Sequence, residues 1–203
     1  MSTLRILFVI ANAMGWRITI ADVDNAFLHG TLDKPEYMSA PKGFSKYVKQ
    51  FKAGMVIKLI KSIYGLKNSA AVWSRTLGTF LKKHGFLRLV SDPGVFKHRR
   101  GKVACIIGSW VDDLCILCSC ETFRSNILKA LDAKFGIKDL EEPSWCLGIR
   151  VTKTEDGRYK LNQAALVEKL ASSCGSSTAS ATTSSSFHPA GEVVFFNVTD
   201  DTT

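Results

Sequence analysis

The chain has 203 residues, 46% of them hydrophobic, enough to bury one sizeable core with a small second unit beside it. Its longest apolar stretches, Ile6 to Ala13 and Val103 to Ile107, fall well short of the roughly 20 residues a membrane-spanning helix needs, and the start lacks a small-residue cleavage pattern, so a cytoplasmic protein with no membrane partner is expected. The net charge of +9 is local: Lys42 to Lys102 holds 15 Lys and Arg against one acid, Asp92, while elsewhere 12 basic face 17 acidic residues. Such a stretch attracts phosphate backbones through counterion release without reading sequence, although a solvated surface has the same composition.

In chain order, residues 2 to 15 predict a buried helix, because Leu4, Ile6, Leu7, Phe8 and Ile10 cover most of its circumference and Gly15 follows at the stop. Ile18 to Val23 alternates β-branched residues and predicts a strand. Residues 30 to 54, rich in Gly, Pro and Lys, read as a loop, and Val56 to Ile60 as a short strand. Trp73, Leu77, Phe80, Leu81 and His84 recur at helical spacing up to Gly85. A hairpin follows: one strand to the turn Arg99 to Lys102, a second from Val103 to Ser109, a tight turn at Val111-Asp112-Asp113, and a strand from Leu114. Phe123, Ile127, Leu131 and Phe135 mark one face of a helix that Gly136 closes. A last hairpin joins Leu147–Lys153 to Arg158–Leu161 through Glu155-Asp156-Gly157, ahead of a short helix near Gln163 to Leu170.

Six cysteines raise the question of zinc or disulfides. Cys115, Cys118 and Cys120 lie in a strand-like run whose alternate side chains face opposite ways, and no second Cys or His pair stands at a finger-like distance. Buried thiols are the expectation. From Ser172 the composition turns to Ser, Thr and Ala, which cannot offset its ordering entropy by burial, and disorder is expected there.

The chemistry rests on carboxylates. Asp112 and Asp113 at a tight turn repel one another and are costly to desolvate, so a cation belongs beside them. Oxygen-only ligands suit magnesium. Asp22 ends another predicted strand; if the two strand ends are neighbours, Asp22 and Asp112 can hold two ions that clamp the attacking and leaving oxygens of a phosphoryl displacement. The plainer alternative makes Asp112 and Asp113 simple turn formers.

Three blocks carry a resemblance: Asp22-Val23-Asp24-Asn25-Ala26-Phe27-Leu28-His29-Gly30, Lys61-Ser62-Ile63-Tyr64-Gly65-Leu66-Lys67 with Trp73, and Val111-Asp112-Asp113. Leu147-Gly148-Ile149, Tyr37-Met38, Pro41-Lys42-Gly43-Phe44 and Asp92-Pro93 support them. Over about residues 4 to 170 the chain resembles the reverse transcriptase domain of copia-type retrotransposons. The resemblance implies an α+β polymerase palm, an antiparallel sheet with helices 2–15, 70–84 and 121–135 on one face. It implies residues 1–140 as palm, 141–171 as a primer-grip-like hairpin and the start of the thumb, and 172–203 as the disordered tail.

The roles it implies are catalysis by Asp22, Asp112 and Asp113, with two magnesium ions, or manganese in their place, on Asp22, Asp112, Asp113 and the Val23 carbonyl. Phe27 would lie under the nucleotide sugar and exclude a 2′-hydroxyl, and Tyr64 and Gly65 would lie near the incoming deoxynucleoside triphosphate. Lys58, Lys61, Lys67, Arg75, Trp110, Leu147 and Gly148 would contact an RNA or DNA template-primer duplex. No oligomeric state follows. Two departures stand out: Trp110 replaces the family's Tyr, and Asn68 to Ala71 lacks its Arg. The family's fingers belong before residue 4, and most of its thumb and the ribonuclease H domain after residue 172, so the chain is expected to be a fragment that extends a primer at no useful rate alone. The alternative is a non-catalytic remnant that binds nucleic acid through residues 42–102.

Overall fold

Two neighbouring strands, β1 (Arg17–Val23) and β7 (Asp113–Cys118), are buried on both faces and form the centre of a six-stranded antiparallel sheet. The computed structural model of the chain describes residues 2–49, 52, 54–140, 145–173 and 192–193. The remaining strands of this sheet are β4 (Leu87–Arg88), β5 (Val95–Arg100), β6 (Val103–Trp110) and β8 (Ile137–Leu140), in the order β4-β5-β6-β7-β1-β8. Near-continuous runs such as Leu114-Cys115-Ile116-Leu117 are what strands covered on both sides require.

Strand alternation sorts the central residues into two cores. Ala21 and Val23 of β1, with Leu114 and Ile116 of β7, pack with Trp73, Leu77 and Leu81 of α3 (Ser69–Lys83) and Ile127, Leu131 and Phe135 of α4 (Glu121–Phe135). Ile18 and Ile20, with Cys115 and Leu117, pack instead with Leu4, Leu7 and Phe8 of α1 (Ser2–Met14). The expectation of three helices on one face is therefore corrected: α3 and α4 cover one face and α1 the other. Helical periodicity identifies an apolar stripe but carries no information about which side of a sheet it meets.

Against α1 lies a second sheet, ordered β12-β11-β10-β9, formed by β9 (Trp145–Cys146), β10 (Ile149–Lys153), β11 (Tyr159–Asn162) and β12 (Glu192–Val193). Asn12 ties it down, donating to the Tyr159 carbonyl at 3.0 Å and accepting the Tyr159 N–H at 2.8 Å. The Tyr159 hydroxyl accepts the Ile18 N–H at 3.0 Å, so one tyrosine joins helix, hairpin and central strand. Helix α5 (Ala164–Ser173) follows.

Helix ends agree with their sequence signals. At Gly15 (φ 62°) the Trp16 N–H reaches the Ala11 carbonyl at 2.9 Å, and the Gly15 N–H reaches Asn12 at 3.4 Å. This paired closure needs a left-handed residue, which glycine adopts without a Cβ penalty.

The loop expected over residues 30 to 54 is also corrected. Thr31–Ser39 is a strand, β2, paired antiparallel with β3 (Val56–Lys61), and Phe44–Tyr47 forms a short helix, α2. Pro35 disguises the strand, and it falls in the interval between Thr31 and Glu36 where the register shifts, so its missing N–H breaks no regular ladder. The expected tight turn narrows to Val111 and Asp112, because Asp113 already pairs with Trp110. Most of the Ser/Thr-rich tail, 174–191 and 194–203, lies outside the described residues. Among the described cysteines Cys105, Cys115, Cys118 and Cys146 are buried, Cys120 is half-buried, and all five are free thiols.

Candidate active site

The ends of β1 and β7 bring the acids together. Asp22 lies directly opposite Asp113, and the Val23 N–H donates to the Asp112 carbonyl at 2.9 Å. Val23 and Asp112 are thus a hydrogen-bonded pair, which makes Asp22 and Asp113 the adjoining non-hydrogen-bonded pair, with Cα atoms about 4.5 Å apart and side chains on one face. Like charges so placed destabilise a sheet.

The charges respond. The Asp113 carboxyl is held above its ordinary value, first by burial and then by the Asp22 and Asp112 charges. Burial likewise pushes the Cys146 thiol up to about 12, with the Asp113 charge adding to it. On its other side Asp22 faces Lys138 of β8, whose ammonium is engaged by Asp24 at 2.9 Å and therefore stays protonated above its ordinary range. Sequence reading missed Lys138, and no local signal places it beside Asp22.

Asp112 sits at the turn itself. One carboxylate oxygen, Oδ1, is buried with no hydrogen-bond partner among the described residues, and the other, Oδ2, accepts the Tyr64 hydroxyl at 3.1 Å. An orphaned carboxylate oxygen costs free energy that a cation would recover. Oxygen-only donors with one orphan suit magnesium, which keeps several waters and needs only one or two carboxylates. Among the described residues no group of three or more His, Cys, Asp or Glu side chains forms a ready-made metal cage. The arrangement is an open sheet edge bearing three carboxylates, Asp22, Asp112 and Asp113.

The turn is held from outside. Val111 has φ 57°, a conformation that β-branched residues avoid, and the Trp73 indole N–H donates to its carbonyl at 2.7 Å. Trp73 is almost fully buried in α3, so the helix fixes the carboxylate-bearing turn through one hydrogen bond. This role for Trp73 was not read from sequence.

Phe27 lies in a 3-10 turn, η1 (Ala26–His29), and its ring meets the Tyr64 ring at 4.6 Å and 58°. Ser62, fully buried, donates its hydroxyl to the Phe27 carbonyl, and Gly30 leaves room for Val72, whose Cγ1 would lie 2.5 Å from a Cβ there. The first two sequence blocks thereby lock together. Gly65 has φ 96° with open space around it.

The other expected contacts diverge. Lys58 and Lys61 are both exposed but three apart on β3, hence on opposite faces of the β2–β3 ribbon. Lys67 is exposed beyond Ser62. Arg75 is on α3 and is paired with Asp33 at 2.8 Å. Trp110, half-buried, packs into the α1-side core and over Gly108, where a Cβ would meet its ring at 2.6 Å. Leu147 (φ 50°) and Gly148 (φ 76°) form the two-residue turn between β9 and β10, with Leu147 packed against the same core.

The family model for reverse transcriptase (RNA-dependent DNA polymerase) matches residues 1–185. The chain belongs to this family. It is 35% identical over 170 residues to the retrovirus-related Pol polyprotein from transposon RE1 of Arabidopsis thaliana, which covers 84% of the chain and 11% of that protein. It is 31% identical over 172 residues to the corresponding polyprotein from transposon TNT 1-94 of Nicotiana tabacum, 84% of the chain and 13% of the relative. It is also 29% identical over 151 residues to a putative transposon Ty5-1 protein of Saccharomyces cerevisiae, 74% and 48% respectively. The resemblance to copia-type retrotransposon reverse transcriptases stands on these matches. The chain spans about a tenth of the length of the plant polyproteins. No helix among the described residues is long and apolar enough to cross a membrane.

Proposed function

We propose that the chain supplies the palm of a magnesium-dependent polymerase that adds deoxynucleotides to a primer 3′-hydroxyl on an RNA or DNA template. The observation that carries this reading is the end of the six-stranded sheet, where Asp22 and Asp113 stand opposite each other and Asp112 has a buried, unpartnered oxygen. Asp22 and Asp112 would hold two magnesium ions, or manganese in their place, with Asp113 as companion and the Val23 carbonyl as a further ligand. Bound there, such ions stabilise the attacking and leaving oxygens of an in-line displacement.

The chain's own residues do the positioning. Phe27, whose carbonyl is held by the buried Ser62 hydroxyl, presents a ring where a 2′-hydroxyl would clash. Gly65 leaves the adjoining backbone open to a nucleotide. Residues 1–140 act as palm, with 141–171 as the hairpin beside the primer end. Non-catalytic binding of nucleic acid through residues 42–102 is the second reading, favoured by the exposed Lys58, Lys61 and Lys67.

Single-nucleotide addition to a primed template, with deoxynucleotides and magnesium and a long incubation, separates the two. Addition that Asp112→Asn with Asp113→Asn abolishes supports the palm. Salt-sensitive duplex binding that the double substitution leaves intact, with no addition at any magnesium concentration, supports the second reading.

A further inference from the structure

Tyr64 touches both halves of the site. Its hydroxyl donates to Asp112 Oδ2 at 3.1 Å, and its ring leans on Phe27 at 4.6 Å. The residue is 51% exposed. It is followed by Gly65 at φ 96°, with nothing within 4 Å of the position a Cβ would take. A half-exposed ring beside an unconstrained glycine can move without disturbing the core. Its partner oxygen belongs to the carboxylate whose other oxygen has no partner among the described residues.

We propose that Tyr64 is a latch: with no cation at Asp112 its hydroxyl occupies Oδ2 and its ring rests against Phe27, and it releases both when a divalent ion takes the carboxylate. The proposal rests on the metal-binding reading of Asp112 given above. The Tyr64 hydroxyl occupies Oδ2 while Oδ1 is unpartnered, so for Asp112 to offer both oxygens to the two ions of the proposed site the phenol must give Oδ2 up. Giving it up frees the ring to leave Phe27, which exposes the face on which the nucleotide sugar would rest. Metal and nucleotide then bind with positive coupling, because each favours the released position of one side chain.

The latch has a signature that a purely structural tyrosine lacks, since removing only the hydroxyl should improve metal binding. Manganese affinity would be measured on the full 203-residue chain from the electron paramagnetic resonance of the free ion, for the unmodified protein, Tyr64→Phe, Asp112→Asn and the pair combined. Tyr64→Phe should tighten binding roughly three- to tenfold, the range of one net hydrogen bond. It should have no such effect in the Asp112→Asn background. In unmodified protein, magnesium should shift the ring resonances of Tyr64 in NMR spectra, and Asp112→Asn should prevent this.

Unchanged or weaker manganese binding by Tyr64→Phe, with Asp112→Asn still impairing it, overturns the latch and leaves the metal site standing. Manganese binding indifferent to Asp112→Asn overturns the metal site, and the latch with it. Tyr64 is outside both cores, so loss of the fold is not expected, and circular dichroism of each variant checks it.

Discussion

The β1–β7 pair and the β2–β3 ribbon are both antiparallel, yet they are specified in different ways. In the central pair every residue from Leu114 to Cys118 is buried, and Ile18 and Ile20 are covered as fully as Ala21 and Val23. Slipping such a pair by one residue would exchange two cores of different shape, so its register is fixed by packing on both faces. The ribbon has Tyr37, Val56 and Ile60 at 58 to 65% exposure and a register shift near Pro35. Its pairing rests mainly on backbone hydrogen bonds. Doubly covered strands carry the acids, while Lys58 and Lys61, two of the lysines expected to meet nucleic acid, lie on the more exposed ribbon.

The strongest way to break this comparison is by truncation. Leu117→Ala should cost about 2 to 5 kcal/mol in urea denaturation, because it leaves a cavity in a fully buried site. Ile60→Ala, by contrast, should stay within about 0.5 kcal/mol. Comparable losses would mean that the ribbon belongs to the core.

Next in size is the brace on the carboxylate turn. Trp73→Phe keeps an aromatic ring but removes the N–H that holds Val111, leaving a carbonyl unpaired. A loss of about 2 kcal/mol is expected. A Trp73→Phe protein as stable as the parent would show that Val111 does not depend on α3.

The smallest effect has the opposite sign. Because burial and neighbouring acids raise the Asp113 carboxyl, the folded state holds that proton more tightly than the unfolded chain. Ionisation therefore opposes folding, and the penalty grows as pH rises through the raised value. Asp113→Asn should stabilise the metal-free protein at pH 7 by up to about 0.5 kcal/mol, a figure limited by solvent screening. The gain should vanish in thermal melts below the ordinary carboxyl range. A gain that persists in acid would assign it to packing instead of charge.

Hydrogen exchange sharpens the comparison without mutation. Amides of β1 and β7 should exchange only on global unfolding, and those of β2 and β3 through local opening. Equal protection in the two regions would contradict the difference in burial.

What the sequence by itself determined is whatever depends on neighbours along the chain. The stripe of Trp73, Leu77 and Leu81, the glycine closures after Met14 and His84, the apolar run of β7 and the hairpin ending in Val111 and Asp112 are all written in local period and turn chemistry. The acids and the Phe27 and Tyr64 blocks were legible as motifs. Tertiary structure alone decided the rest. Helix α1 went to the face away from α3 and α4 because Ile18 and Ile20 point there, and a helical stripe does not name its sheet. Thr31–Ser39 became a strand because β3 offered a partner about twenty residues on, against its proline and lysine content. Lys58 and Lys61 parted onto opposite faces by the two-residue period of an extended chain. The contact of Tyr64 with Asp112 spans 48 residues and depends on where α3 sets the turn that precedes β7, a placement fixed by packing and invisible to any local pattern.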